Sequence, residues 1–301
     1  MVKRYRFVQV DVFTNQPFAG NQLAVFPDAR GLTTDEMQTL TREMNYSEST
    51  FVFPADLPGA AKRVRIFTPA KELPVAGHPT IGTAYVLASR GDLPVPTERA
   101  EAVLQLGIGL VPVVIERHAE KIAFVWMTQR APVFGPLYTD RDLVARALGG
   151  RPEDLATTWP LQVVSTGVPF LMVPLRSRAA IDRCRPDPTA LGVLGEVEGL
   201  YVFTTETTHP EVGLHARMFS PLVPGLEDPA TGIAAAPLGA YVARYKVLPP
   251  APSLRFICEQ GIQMGRPSRI HVEVCSDETT VTALRIGGEA VIVADGEFFW
   301  D

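Results

Sequence analysis

Charge is scarce in this chain and evenly spread. Only 20% of its 301 residues are charged, the formal net charge is −5, and no basic block follows a phosphate backbone. Nucleic acid is therefore not an expected partner. Cysteine is rarer still: Cys184, Cys258 and Cys275 stand far apart, form no metal-like pair and are expected to be buried free thiols. No uninterrupted apolar run approaches the ~20 residues that cross a bilayer. The opening MVKRYRFVQVDVF alternates polar and apolar residues like a strand and lacks the apolar core of a signal peptide. A soluble, cytoplasmic protein with no membrane partner is the expectation. Nucleotide and metal motifs are missing as well. There is no Gly-x-Gly-x-x-Gly after a strand, no Walker loop, no His-x-x-x-His or His/Cys cluster, and no Gly-x-Ser-x-Gly elbow around Ser47. No cofactor and no metal are expected, which leaves proton transfer by the protein's own side chains.

What the chain does have is apolar mass and punctuation. Hydrophobic residues make up 46%, enough for a sizeable core, and the 27 prolines and 24 glycines are spread as turns between short elements. It also repeats itself. Gly20-Asn-Gln-Leu-Ala-Val-Phe26 is echoed by Gly167-Val-Pro-Phe-Leu-Met-Val173, an offset of 147. Glu48-Ser-Thr-Phe-Val-Phe53 is echoed by Glu198-Gly-Leu-Tyr-Val-Phe203, an offset of 150, and Arg65-Ile-Phe-Thr-Pro69 by Arg217-Met-Phe-Ser-Pro221, an offset of 152. Echoes in the same order at nearly constant spacing indicate an ancient duplication.

One half reads as follows. Tyr5–Phe13 and Leu23–Phe26 are strands joined by a turn through Asn15-Gln-Pro-Phe-Ala-Gly20. Thr33-Thr-Asp-Glu36 is a capping box, and Met37, Leu40 and Met44 give the helix after it one apolar face. Thr50–Phe53 and Val64–Phe67 are further strands. A second helix, from about Pro79 to Arg90, has almost no polar side, so it must be buried all round. Strands around one enclosed helix make a rolled sheet. In the other half, Pro229 to about Arg244 holds the corresponding place, with Pro237 expected to bend that helix or interrupt one hydrogen bond. The predicted architecture is α+β: two pseudo-symmetric rolls, each a mixed β-sheet wrapped around a central buried helix. The expected domains are residues 1–118 with a returning strand 287–301, and residues 119–286.

Each buried helix is entered through a proline preceded by a polar residue, His78 in one half and Asp228 in the other. Helix starts expose unpaired N–H groups with partial positive charge and accept carboxylates. Gly77, Gly82 and Gly232 allow close approach to the backbone. Pseudo-twofold symmetry would bring both starts to one cleft for a small anion. Alternatively, Asp228 is simply an N-cap. Among titratable groups, Glu48 precedes an apolar strand, where desolvation would suit it to accept and return a proton; the plainer reading is a solvated loop glutamate. Glu198, its counterpart by repeat, is expected to face solvent. His118 is expected at the surface and His209 in a polar turn, while His215 precedes the repeated arginine motif and His271 alternates into a strand.

Several blocks resemble the PhzF-like phenazine biosynthesis family. They are Phe18-Ala-Gly-Asn21, Met44-Asn-Tyr-Ser-Glu-Ser-Thr-Phe51, Ile66-Phe-Thr-Pro69 with Glu72-Leu-Pro-Val-Ala-Gly-His-Pro79, Arg217-Met-Phe-Ser-Pro221, Glu227-Asp-Pro-Ala-Thr-Gly232 and Gln260-Gly-Ile-Gln-Met-Gly-Arg-Pro-Ser268. The resemblance implies a diaminopimelate epimerase-like fold with its site between the halves, a last strand returning to the first domain, and a homodimer. It also implies isomerisation of a dihydro-hydroxyanthranilate-type substrate. Glu48 would be the acid/base, with residues at His78 and Asp228 completing the catalytic set. The epimerases of this fold use two cysteines, and none of the three cysteines here lies near either helix start. Two departures bear on substrate: Ile233 stands where the family motif has Ser, and Gln22 where Pro is frequent.

The leading expectation is a cofactor-free isomerase moving hydrogen on a small carboxylate, with Ser47, Gly77, Thr231 and Gly232 binding the substrate. The alternatives are a non-catalytic small-molecule-binding protein and an epimerase with a non-cysteine pair such as Glu48 and Asp228.

Overall fold

The structure, a computed structural model, describes residues 3–277 and 280–300. The chain forms two compact units, Met1–Thr128 with Gly287–Asp301, and Gln129–Ile286. The expected boundary at 118 falls inside a hairpin whose arms pair from Val113↔Met127 to His118↔Lys121. Ladder hydrogen bonds therefore keep the segment up to Thr128 in the first unit. Met1, Val2, Glu278, Thr279 and Asp301, which the expected domain ranges include, lie outside the described residues.

The first unit contains β1 (Lys3–Val12), β2 (Asn21–Phe26), α1 (Thr34–Met44), β3 (Glu48–Phe53), β4 (Lys62–Phe67), β5 (Glu72–Leu73), α2 (Gly77–Ser89), β6 (Arg99–Leu106), β7 (Gly109–His118) and β8 (Lys121–Thr128). The closing strand Ala290–Trp300 runs antiparallel to β1. β1 ends one residue short of expectation because Phe13 turns to a φ of 67°. The capping box is formed: Thr33 Oγ1 accepts from the Glu36 N–H, and the Thr33 N–H donates to Glu36 Oε2 at 2.7 Å. Asn45, in the left-handed conformation, ends α1 and turns the chain toward β3. α2 is buried from Gly77 to Thr83 and along most of its remaining length, which explains its lack of a polar face.

The second unit contains β9 (Val133–Leu137), α3 (Arg141–Ala147), β10 (Gln162–Ser165), β11 (Pro169–Pro174), α4 (Arg178–Arg183), α5 (Pro188–Gly192), β12 (Gly199–Thr204), β13 (Leu214–Phe219), β14 (Glu227–Asp228), α6 (Gly232–Tyr245), β15 (Ser253–Gln260) and β16 (Ser268–Asp277). α6 is buried along its core-facing length and carries Pro237 inside it without ending there. Having no N–H, the proline interrupts one hydrogen bond of the helix.

Strand pairing establishes the duplication. β2 lies parallel to β3, β3 antiparallel to β4, β4 antiparallel to β5 and parallel to β6, and β6 antiparallel to β7. The second unit repeats this scheme with β11, β12, β13, β14, β15 and β16. The register also corrects one echo. Leu23 pairs with Glu48, and its counterpart Phe170 pairs with Gly199. Glu48 therefore corresponds to Gly199, not to Glu198, an offset of 151. In a strand a one-residue slip reverses the face of every side chain, so the distinction is chemical. Glu198 is half-buried rather than solvated, and its main chain bonds Pro169 and the Ser220 hydroxyl.

The repeated arginine motif proves structural. Arg65 makes a two-pronged bond to Glu72 at 2.7 and 2.6 Å, and its guanidinium lies over Phe67. Arg217 does the same with Glu227, at 2.7 Å on both prongs, and lies over Phe219. In each roll this clamp ties the strand carrying the arginine to the short strand that leads into the buried helix.

Candidate active site

In the first unit, Glu48 opens β3 and His78 is the second residue of α2. A buried hydrogen bond between Thr50 Oγ1 and Thr83 Oγ1, 2.8 Å long, fixes α2 against β3 and sets these two starts side by side. His78 Nε2 then stands 3.3 Å from Glu48 Oε2, with side chains only 5% and 16% exposed. Glu48 is thus largely withdrawn from water, against the plainer reading of a solvated loop residue. Asn21, the first residue of β2, brings Nδ2 to 3.2 Å from His78 Nδ1, and Ser47 Oγ donates to Asn21 Oδ1 at 3.4 Å. Gly77 is buried at the first position of the same helix.

Burial pushes the His78 imidazole down to about 3, partly opposed by a hydrogen bond with the Gln22 backbone. The ring is therefore neutral at physiological pH, with one nitrogen donating and the other accepting. Its buried Nε2 meets Glu48 outside hydrogen-bonding alignment and has no hydrogen-bond partner among the described residues. A buried nitrogen in that condition calls for a partner, which a water or a ligand can supply.

The central helices share a second peculiarity. α1, α3, α4 and α5 are each capped by a side chain, from Thr33, Asp140, Ser177 and Asp187. Neither α2 nor α6 has a side-chain cap. α2 is preceded by Ala76, whose side chain has no oxygen to offer, and α6 by Thr231, whose hydroxyl is engaged elsewhere. The first turns of the two buried helices are thus without a side-chain acceptor.

In the second unit, Thr231 Oγ1 donates to Asp228 Oδ2 at 2.5 Å. Gln260, fully buried, ties the loop together. Its Oε1 accepts from Tyr201 Oη at 2.9 Å and from the Thr231 N–H at 3.1 Å, while Nε2 donates to the Asp228 carbonyl at 2.8 Å and to Thr231 Oγ1 at 3.1 Å. Gly232 is buried as the first residue of α6. Asp228 belongs to the short strand β14 and is not an N-cap.

The expected residues therefore fall into two sets: Glu48, His78, Ser47 and Gly77 in the first unit, Asp228, Thr231 and Gly232 in the second. His78 and Asp228 are not counterparts. Ile66 pairs with Leu73 as Met218 pairs with Asp228, so Asp228 corresponds to Leu73; both helices open on glycine, so His78 corresponds to Ile233. Asn21 and Gln260 were not singled out from sequence as site residues. Asn21 had a signal, a polar side chain where strand alternation turns inward, whereas Gln260 sits in an ordinary polar stretch. The other histidines divide between surface and core: His118 and His209 are exposed, and His215 is fully buried against Glu259 at 2.9 Å. Cys184 and Cys258 are buried thiols, Cys275 half-buried. Among the described residues, no helix is long and apolar enough to cross a membrane.

A doubled roll with one buried helix in each half defines the diaminopimelate epimerase-like class. The family described as phenazine biosynthesis-like protein, PhzC-PhzF, matches residues 10–296, and the chain belongs to this family of isomerases. It is 37% identical to an uncharacterized isomerase of Mesorhizobium japonicum over 97% of this chain and 98% of that one. It is 35% identical to the trans-2,3-dihydro-3-hydroxyanthranilate isomerase of Pseudomonas aeruginosa, over 98% of this chain and 99% of that one. A PhzF family phenazine biosynthesis protein of Bacillus anthracis superposes with a TM-score of 0.87 at 30% identity, covering 98% of this chain and 99% of the other.

Proposed function

We propose that this chain is a cofactor-independent isomerase that moves a proton on a small cyclic carboxylate, with Glu48 as the acid/base. The observation that carries the proposal is the withdrawn pair of Glu48 and neutral His78, 3.3 Å apart, with His78 Nε2 lacking a hydrogen bond. In its acid form Glu48 delivers a proton to one carbon, and the resulting carboxylate removes one from another. The substrate is rearranged without gain or loss of electrons, and Glu48 ends in its starting state. His78 keeps the carboxyl oriented and supplies one donor or acceptor to the substrate. The uncapped N–H groups of α2 and α6 suit a substrate carboxylate, each such contact contributing about 0.3–1 kcal/mol where exposed and up to ~2 where buried. Ser47 and Gly77 serve the substrate in the first unit, and Asp228, Thr231 and Gly232 form a separate polar group at the start of α6 in the second.

The 35% identity to an isomerase of trans-2,3-dihydro-3-hydroxyanthranilate supports a ring-bearing carboxylate as substrate class. Ile233 at the first turn of α6 offers no hydroxyl, which favours a substrate differing from that compound near its carboxylate. Epimerisation by Glu48 and Asp228 is the poorer reading. Asp228 already accepts a 2.5 Å hydrogen bond from Thr231, which weakens it as a base. The test is Glu48→Gln. It should keep affinity for anthranilate-like carboxylates and reduce substrate-dependent deuterium uptake from D2O by about 10²–10⁴-fold. Undiminished uptake would remove Glu48 from the chemistry, and ligand recovered without exchange from the unmutated protein would favour a binding protein.

A further inference from the structure

The side chain of Gln260 spends its whole hydrogen-bonding capacity within the second unit. Oε1 accepts twice, from Tyr201 Oη and from the Thr231 N–H, and Nε2 donates twice, to the Asp228 carbonyl and to Thr231 Oγ1. A main-chain N–H can only donate and a main-chain carbonyl can only accept. The amide therefore has one orientation here, and the direction of the neighbouring bonds follows from it.

Thr231 Oγ1 receives a proton from Nε2, so its own proton goes to Asp228 Oδ2, 2.5 Å away. Asp228 is the accepting end. On the other side, Tyr201 gives its one proton to Gln260, so the Cys258 thiol, with Sγ at 3.6 Å, donates to Tyr201 Oη. The bonds run one way, from Cys258 through Tyr201 to Gln260, and from Gln260 through Thr231 to Asp228. All five side chains are buried. Burial raises Tyr201 and pushes Cys258 up to about 12, so both keep their protons at neutral pH. Asp228 is the one member of the chain suited to carry charge there.

The fold itself does not require this chain of bonds. At the corresponding points the first roll has Thr50, Leu73, Ala76, Leu104 and Leu106, and Thr50 spends its hydroxyl on Thr83. Polar groups are costly to bury unless every one is paired. Five that occur together in one of two like frames, fully paired with one another, point to a use other than folding.

We propose that Gln260 is a positioning residue: it fixes the direction of this chain and thereby holds Asp228 as a hydrogen-bond-accepting carboxylate at the start of α6. Donation to a carboxylate favours its ionised form. The assignment rests on the isomerase reading only for how that charge is used, and the charge itself is measured without substrate.

The experiment follows the carboxyl carbon of Asp228 by NMR as pH is varied, with Asp228→Asn identifying its signal and thermal melting checking that each variant folds. The unmutated protein should show an ionised Asp228 at pH 7. Gln260→Met and Thr231→Val should each raise its titration midpoint by about one pH unit or more. Tyr201→Phe disturbs the same buried group but leaves both Gln260 donors in place, and should leave the midpoint unmoved. A protonated Asp228 at pH 7 overturns the proposal outright. So does an unmoved midpoint in Gln260→Met, or a rise in Tyr201→Phe as large as that in Gln260→Met. Should Gln260→Met not fold, Thr231→Val decides from the far end of the relay, where an unmoved midpoint overturns it. None of these outcomes touches Glu48, whose assignment stands or falls on deuterium uptake.

Discussion

His78 Nε2 and Glu48 Oε2 approach to 3.3 Å because the hydroxyls of Thr50 and Thr83, farther along the same strand and helix, lock together at 2.8 Å. The pair proposed to be catalytic is thus positioned by a buried contact outside it. The second unit lacks the pair: Gly199 stands where Glu48 does and Ile233 where His78 does. Duplication supplied two frames, and only one of them carries both the acid and the imidazole.

His78 should make the fold sensitive to acid. The folded ring protonates only near 3, whereas the unfolded ring does so near 6.5. Between those values the unfolded chain binds a proton that the folded chain refuses. This contribution to stability is complete above pH 6.5 and declines as pH falls toward 3, at up to about 1.4 kcal/mol per pH unit. Urea midpoints from pH 7.5 to 4.5 should fall more steeply in the unmutated protein than in His78→Gln. His271, pushed down to about 4 by burial, is common to both proteins and cancels. Matching slopes would contradict the neutral, buried ring.

The two arginine clamps should differ in worth. Arg217 and Glu227 are 5% and 13% exposed, against 18% and 39% for Arg65 and Glu72. Arg217→Ala leaves a nearly buried carboxylate and should cost about 3–5 kcal/mol. Arg65→Ala, at a wetter site, should cost about 1 kcal/mol or less beyond lost packing. Denaturant titration of both variants checks this, and equal losses would argue against burial as the cause.

Gln260→Leu should destabilise the second unit by about 2–4 kcal/mol. It strips partners from Tyr201 Oη, the Thr231 N–H and the Asp228 carbonyl, all buried. Leucine is the instructive replacement because the register places Leu106 at the corresponding point of the first unit: Arg63 pairs with Gln105 as His215 pairs with Glu259. A variant as stable as the parent would mean that the loop before α6 needs no such tie.

Much of this was legible in the chain. The capping box at Thr33–Glu36, the two helices without polar faces and the ordered echoes were local signals, and local signals survive in sequence because hydrogen-bond caps and apolar periodicity act over a few residues. The echo at Glu198 misled by one residue. Like residues can align in sequence at either of two adjacent positions, and only ladder pairing decides which face each one takes. The proline-based match of His78 with Asp228 failed for a similar reason, since α2 begins before Pro79 and α6 after Pro229.

Composition and repeats by themselves determined an α+β chain of two rolls, while the family, and with it Glu48 as the side chain to watch, came from the resemblance of its motif blocks. Tertiary structure alone decided that His78 is neutral and that Gln260 organises the loop at Asp228. The physical reason is range. Caps, turns and apolar faces are written by neighbours in the chain, whereas desolvation and hydrogen-bond partnership depend on groups brought together from distant strands.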